Sequence, residues 1–122
     1  MELFEIVDSR EELKSVSSYS FRELPNHLAV IELEFQTFTC CICIVQKTDE
    51  ILLVEGSSTD DLMNTAIPSV FNECIGARLD WAWKMTNNQG YSDALRFEFN
   101  NGRIIELVVI ASSIRQYLVK EF

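Results

Sequence analysis

Glycine, proline, histidine and positive charge are all scarce in this sequence. Its four glycines stand singly at positions 56, 76, 90 and 102. No run of them can therefore cradle a phosphate through consecutive backbone N–H groups. The two prolines, Pro25 and Pro68, mark no Pro-rich linker, and no low-complexity tract or repeat divides the chain. His27 is the single histidine and sits beside a Pro-Asn turn. It reads as a solvated turn residue, because no nucleophile-elbow motif supplies a serine for it to activate.

Ten basic residues against nineteen acidic ones give a net charge of −9. Nucleic acid is excluded as a partner, since phosphate binding needs clustered Lys and Arg. No apolar run approaches the roughly 20 residues that a membrane helix requires. The first residues, MELFEIVDSREEL, carry neither a cationic n-region nor an apolar h-region, so no signal peptide is expected. Four cysteines without secretory targeting then point to reduced thiols and a cytoplasmic location.

Against these absences stands one dense stretch, residues 77–111. Leu79, Trp81, Trp83 and Met85 fall on one parity, and Arg78, Asp80, Ala82, Lys84 and Thr86 on the other. That alternation predicts a strand with one apolar and one solvated face. It places Trp81 and Trp83 on one face, with at least one deeply buried against Phe97 and Phe99. The polar run TNNQGY reverses the chain into a second strand, where Leu95, Phe97 and Phe99 alternate with Arg96 and Glu98.

The turn Phe99-Asn100-Asn101-Gly102-Arg103 decides the next register. A two-residue turn at Asn101-Gly102 would set Phe97 opposite Glu106 on a buried face. A three-residue loop with left-handed Gly102 pairs Phe97 with Ile105, Leu95 with Leu107 and Arg96 with Glu106. Cross-strand pairs contribute roughly 0.2–1 kcal/mol each, which selects the longer loop. The run IIELVVIA is apolar on both parities, so a strand covered on both faces is expected. Beyond Ser112-Ser113 the chain continues as a bent extension or a last strand.

Earlier in the chain, Leu3, Phe4, Ile6 and Val7 suggest a short opening strand. Ser9-Arg10-Glu11-Glu12 has capping-box form and predicts one or two helical turns after it. Residues 16–21 are strand-like and end at a turn around Pro25 and Asn26. In residues 28–35, Ile31, Leu33 and Phe35 point inward and Glu32 and Glu34 outward. Gln36-Thr37 links this strand to FTCCICIV, a buried central strand, and residues 51–54 follow the turn at Asp49-Glu50. Thr59 or Asp60 is expected to cap a short helix through Asn64. Pro68 opens a second helix, with Val70, Phe71, Cys74 and Ile75 on one face and Gly76 at C′.

These elements predict a single α+β domain over residues 1–122. It is dominated by an antiparallel meander of six to eight strands, curled into a half-barrel or roll, with two short helices. The same residues offer little chemistry. Cys41 and Cys43 face one way along their strand and Cys40 the other, so the three act as small hydrophobes rather than ligands. The carboxylates at Glu5, Asp8, Glu11 and Glu12, and at Asp49, Glu50, Glu55, Asp60 and Asp61, match no calcium loop. No catalytic residue, cofactor or metal is expected.

The expected binding surface comprises Trp83, Asn87, Gln89, Tyr91 and Asp93, together with Asp60 and Asp61 on an acidic loop. Amides, a phenol and a carboxylate beside an indole suit a protein partner or a polar ligand. The plainer alternative is a hydrogen-bonded loop that closes a hairpin. The expected function is non-catalytic binding of a basic protein. The alternative is a small-molecule pocket beside Trp83 and Tyr91.

Within this stretch the segments WAW (81–83), TN (86–87), QGYSD (89–93) and VVIASSI (108–114) resemble a family of small bacterial proteins known only as a domain of unknown function. The resemblance covers chiefly residues 74–118, with the first half similar in pattern alone. It implies a bacterial single-domain protein and brings no activity, cofactor or catalytic residue with it. In size and acidity the chain is also similar to toxin-neutralising immunity proteins, which is an analogy of style.

Overall fold

The computed structural model describes residues 1–57 and 59–120. The chain opens with helix α1, Leu3–Ser9, where a strand was expected. Leu3, Ile6 and Val7 lie at i, i+3 and i+4, which on a helix forms one stripe toward the core. Ile6 is fully buried and Phe4 is left exposed. Glu5 accepts the backbone N–H of Glu2 at 2.6 Å, so the capping interaction sits seven residues earlier than Ser9 suggested. Ser9 ends the helix instead, its hydroxyl donating to the Ile6 carbonyl at 2.6 Å.

Four strands follow as a meander: β1 (Ser15–Phe21), β2 (Leu24–Glu34), β3 (Thr39–Val45) and β4 (Glu50–Glu55). The turn before β2 falls at Arg22 and Glu23, so Pro25 stands near the start of that strand. The chain then crosses to β5 (Leu62–Asn64), which pairs with the far edge of β1 and gives the order β4-β3-β2-β1-β5. A helix had been expected there. The open edge of β1 offers ladder partners, Phe21 opposite Leu62 and Tyr19 opposite Asn64, which a single helical turn cannot match.

The second sheet is a meander of β6 (Leu79–Thr86), β7 (Ser92–Phe99), β8 (Ile104–Ile110) and β9 (Ser113–Lys120). Its central hairpin has the expected register, with Leu95 opposite Leu107, Arg96 opposite Glu106 and Phe97 opposite Ile105. Phe99 N–H donates to Arg103 O at 3.0 Å across the three-residue loop, and Gly102 has φ +86°. The inward face of β8 is deeply covered, through Ile105, Leu107 and Val109, whereas on its other face Ile104 is buried but Glu106 and Val108 are half-buried and Ile110 is exposed.

The two sheets are open and packed on one shared core, rather than one sheet curled into a half-barrel or roll. The core draws Ile31, Leu33, Cys40 and Ile42 from the first sheet and Leu95, Phe97, Ile105 and Leu107 from the second. Helix α1 packs against β6. At its foot the N–H of Leu13 donates to Ala77 O at 2.9 Å and that of Gly76 to Leu13 O at 2.8 Å.

The second expected helix is one 3₁₀ turn, Val70–Cys74, capped by the Ser69 hydroxyl. Phe71 and Cys74 are buried, but Ile75 leaves the turn in extended conformation and is exposed. Phe71 packs edge-on against Phe97 and Phe99, at centroid distances of 5.3 and 6.1 Å.

The largest departure from expectation lies in β6. Leu79 pairs with Phe99, but Trp81 pairs with Glu98 and Ala82 with Phe97. A bulge at Asp80 inserts one residue and reverses the parity of everything after it. Leu79 and Ala82 therefore face the core. Trp81 and Trp83 share a face as expected, but it is the outer one, and they are 64% and 42% exposed.

Candidate functional site

The bulge at Asp80 gives the outer face of the four-stranded sheet an aromatic edge. Residues that are Cα partners across a ladder share a face. Trp83, Arg96, Glu106 and Tyr117 therefore form one row across all four strands, and Trp81, Glu98 and Ile104 the row beside it. Tyr117 is also exposed, and so is Ile110, which stands opposite Ser113 at the end of β8.

Arg96 sits at the centre of the face. Its Nη1 donates to Glu106 Oε1 at 3.1 Å and its Nη2 to Glu98 Oε2 at 3.2 Å. The guanidinium carbon lies 5.4 Å from the centroid of the Trp83 ring, within cation–π reach. One guanidinium thus serves two carboxylates and one indole, leaving the cluster with a net negative charge. These side chains are about one-third exposed, so solvent screens them and each surface pair contributes at most roughly 1 kcal/mol. Among the described residues no cation lies over Trp81 and no ring stacks on it.

Loop 87–93 closes the β6–β7 hairpin at one end of this face. Asn87 organises it: its side-chain oxygen accepts the N–H groups of Gln89 at 2.9 Å and Tyr91 at 3.2 Å. Its amide nitrogen donates to Asp93 Oδ2 at 3.2 Å. Backbone bonds from Asn87 N to Tyr91 O and from Gly90 N to Asn87 O complete the turn. Asn87 thus spends its side chain inside the loop and engages Asp93 through Oδ2, and Tyr91 keeps an exposed ring at its rim.

The loop is also anchored to the other sheet. Glu50 Oε2 accepts the Ser92 N–H at 3.0 Å, and Oε1 accepts the Thr48 hydroxyl at 2.9 Å. The Ser92 bond chiefly, then that from Thr48 and the charge of Lys84, hold the Glu50 carboxyl below its usual range.

The structure places Trp83 beside the Arg96 cluster, with Tyr91 on the loop at the end of the same hairpin. It does not bring Asp60 and Asp61 to them. Those two precede β5, at the edge of the first sheet opposite β4, whereas loop 87–93 is tied to Glu50 at the start of β4. Asp61 has φ +62° in the turn that delivers Leu62 into β5.

Sequence reasoning missed Trp81 and Tyr117 as surface residues, whereas the alternation along β7 had already set Glu98 outward beside Arg96. The Arg96–Glu106 pairing was a usable signal, because it fixed which face of β7 and β8 looks outward.

Cys40 and Cys74 lie in the shared core, while Cys41 packs with Ala29 and Val30 in a small cluster on the outer side of the first sheet. Burial pushes the Cys40 thiol up to about 12 and those of Cys43 and Cys74 up to about 11. His27 lies within β2 rather than in a solvated turn. Its Nδ1 is buried without a hydrogen-bond partner, beside a cleft of about 460 Å³ bordered by Asn26, Ile67 and Arg115. A second cleft, of about 240 Å³, opens between Val7 and Arg10 of the α1 end and Arg78 and Asp80. Neither cleft is lined by Trp83 or Tyr91.

No helix among the described residues is long and apolar enough to cross a membrane. Comparison with protein families gives a match over residues 1–122 to DUF6334, a family of unknown function. The chain belongs to that family. The match extends the resemblance seen in residues 74–118 to the first sheet as well. Searches of the curated proteins and of the solved structures gave no match.

Proposed function

We propose that this member of DUF6334 is a non-catalytic binding domain that docks another protein on the outer face of its four-stranded sheet. The observation that carries the reading is the exposure of Trp81 and Trp83 side by side on one strand, at 64% and 42%. A tryptophan side chain carries roughly 200 Å² of largely apolar surface, and leaving about half of it in water is costly unless something covers it. Tryptophan, tyrosine and arginine are the residues that dominate interface energetics, and this face carries all three. Tryptophan and tyrosine have only two side-chain torsions, so little side-chain entropy is lost when a partner arrives.

The −9 charge favours a basic partner, whose encounter it accelerates at low salt. A bacterial cytoplasmic setting fits the family resemblance and the four cysteines, which form no disulfide. Tyr91 at the loop rim extends the same surface. Asn87, Gln89 and Asp93 support it by shaping the loop, and Asp60 and Asp61 contribute through the general field.

The test is affinity capture from native lysate on immobilised protein, at low and at moderate salt. A specific basic protein should be retained, and retention should fall as salt rises. The Trp81→Ala/Trp83→Ala double variant should lose that protein while keeping its melting temperature. Equal retention by the double variant would move the interface elsewhere.

A further inference from the structure

We infer that Trp81 is the seat for an arginine side chain of the partner, stacked on the exposed indole and paired with Glu98. The inference rests on the docking reading above and makes it specific. Its basis is a likeness between two neighbouring positions on β6. Trp83 already holds a guanidinium, that of Arg96, at 5.4 Å from its ring centroid, and this guanidinium is flanked by the carboxylates of Glu106 and Glu98. Trp81 stands two residues away on the same face, opposite Glu98, and has the indole and the carboxylate without the cation.

Charge makes the vacancy specific. Arg96 supplies one positive charge to two carboxylates, and only Oε2 of Glu98 is engaged by it. Glu98 Oε1 has no hydrogen bond among the described residues and lies on the strand that pairs directly with Trp81. Asp80, exposed in the bulge next to Trp81, adds a further negative charge. A cation that reaches this point meets an indole face and unbalanced carboxylates. In a chain of net charge −9 the surroundings reinforce the attraction.

Arginine fits better than lysine for a geometric reason. A planar guanidinium stacks flat on an indole while its edge N–H groups reach a carboxylate in the same plane, which a compact ammonium cannot do. Arg96 lies within cation–π reach of Trp83 while its N–H groups bond two glutamates, so the sheet itself shows one guanidinium shared between an indole and carboxylates.

The probe is the peptide acetyl-Gly-Gly-Arg-Gly-Gly-amide, with an otherwise identical peptide carrying citrulline, which keeps the shape and loses the charge. The readout is the indole N–H resonance of each tryptophan in ¹⁵N-labelled protein. The arginine peptide should shift the Trp81 resonance saturably and more than that of Trp83, and the shift should weaken with salt. Trp81→Leu and Glu98→Gln, each verified as folded by its melting curve, should weaken binding roughly fivefold, matching a cation–π contact of about 1 kcal/mol.

An equal response to the citrulline peptide overturns the inference, as does undiminished binding by Trp81→Leu followed at backbone amides. An unmoved Trp81 resonance overturns it too. The two readings fail separately. If the double tryptophan variant loses the captured protein while Glu98→Gln keeps it fully, docking stands and the arginine seat falls. If the arginine peptide binds at Trp81 but the double variant retains the captured protein, the seat stands and docking falls.

Discussion

Trp81 stands opposite Glu98, where an unbroken ladder from Leu79 and Phe99 would have set it opposite Phe97. That one-residue displacement turns two tryptophans from the core to the surface. It also sets the outward side chains of β6 against a charged cluster, since the outward side of β7 carries Arg96 and Glu98. The core loses little by it. Ala82 takes the inward position opposite Phe97, and Phe71 packs edge-on against the other side of that core.

Tryptophan emission reports this arrangement directly. Native protein should emit at the long wavelengths of solvated indoles, and acrylamide should quench it readily. Trp81→Leu should change stability by no more than about 0.5 kcal/mol, whereas Phe97→Ala should cost roughly 3–5 kcal/mol. Blue-shifted, protected emission would mean that the bulge at Asp80 is absent.

Two hairpin turns test backbone conformation in opposite directions. Gly102 has φ +86°, so Gly102→Val should lower stability by about 1 kcal/mol or more. The β8–β9 turn instead places Ala111 and Ser112 at φ +51° and +61°, where a side chain is unfavourable. Ala111→Gly should therefore raise the melting temperature, by about 0.5–1 kcal/mol of stability. Chemical denaturation of both variants measures the pair, and a destabilised Ala111→Gly would contradict the turn geometry.

The thiols give a pH prediction. Cys40 is pushed from 9.0 to about 12, and Cys43 and Cys74 to about 11, chiefly by burial. Raised values in the folded state mean that the unfolded chain releases these protons first. The contribution to stability is complete below pH 9 and is lost progressively as pH rises toward 12. At pH 8 Cys40 and Cys74 should not react with a thiol reagent in native protein, and all four cysteines should react in denaturant.

Glu50 behaves in the opposite sense. Its carboxyl lies below the usual 4.5, chiefly through the Ser92 N–H, so the anchorage of loop 87–93 is intact above that pH and weakens as pH falls. Hydrogen exchange at the Ser92 amide should quicken several-fold in Glu50→Ala, with little change at the Phe97 amide in the core. Unchanged exchange at Ser92 would show that the loop holds itself without β4.

Sequence alone determined the parts of this protein in which local pattern and local energetics agree. The antiparallel meander, the β7–β8 register and the turn at Gly102 followed from side-chain alternation and from which pairs a three-residue loop brings together. The self-bonded character of loop 87–93 was likewise legible, because asparagine and aspartate bond their own backbone in turns.

Tertiary structure decided the rest. Leu3, Ile6 and Val7 satisfy a strand or a helix over so short a run, and docking beside β6 selects the helix. Residues 62–64 became a strand because β1 had an open edge to fill. Two sheets share one core instead of one sheet curling. The tryptophans face outward for the same kind of reason. A bulge costs a ladder bond at Asp80, and only the fit of Leu79 and Ala82 against Phe99 and Phe97 repays it. Alternation in a sequence fixes which residues share a face, but an inserted residue between strands decides which face meets water.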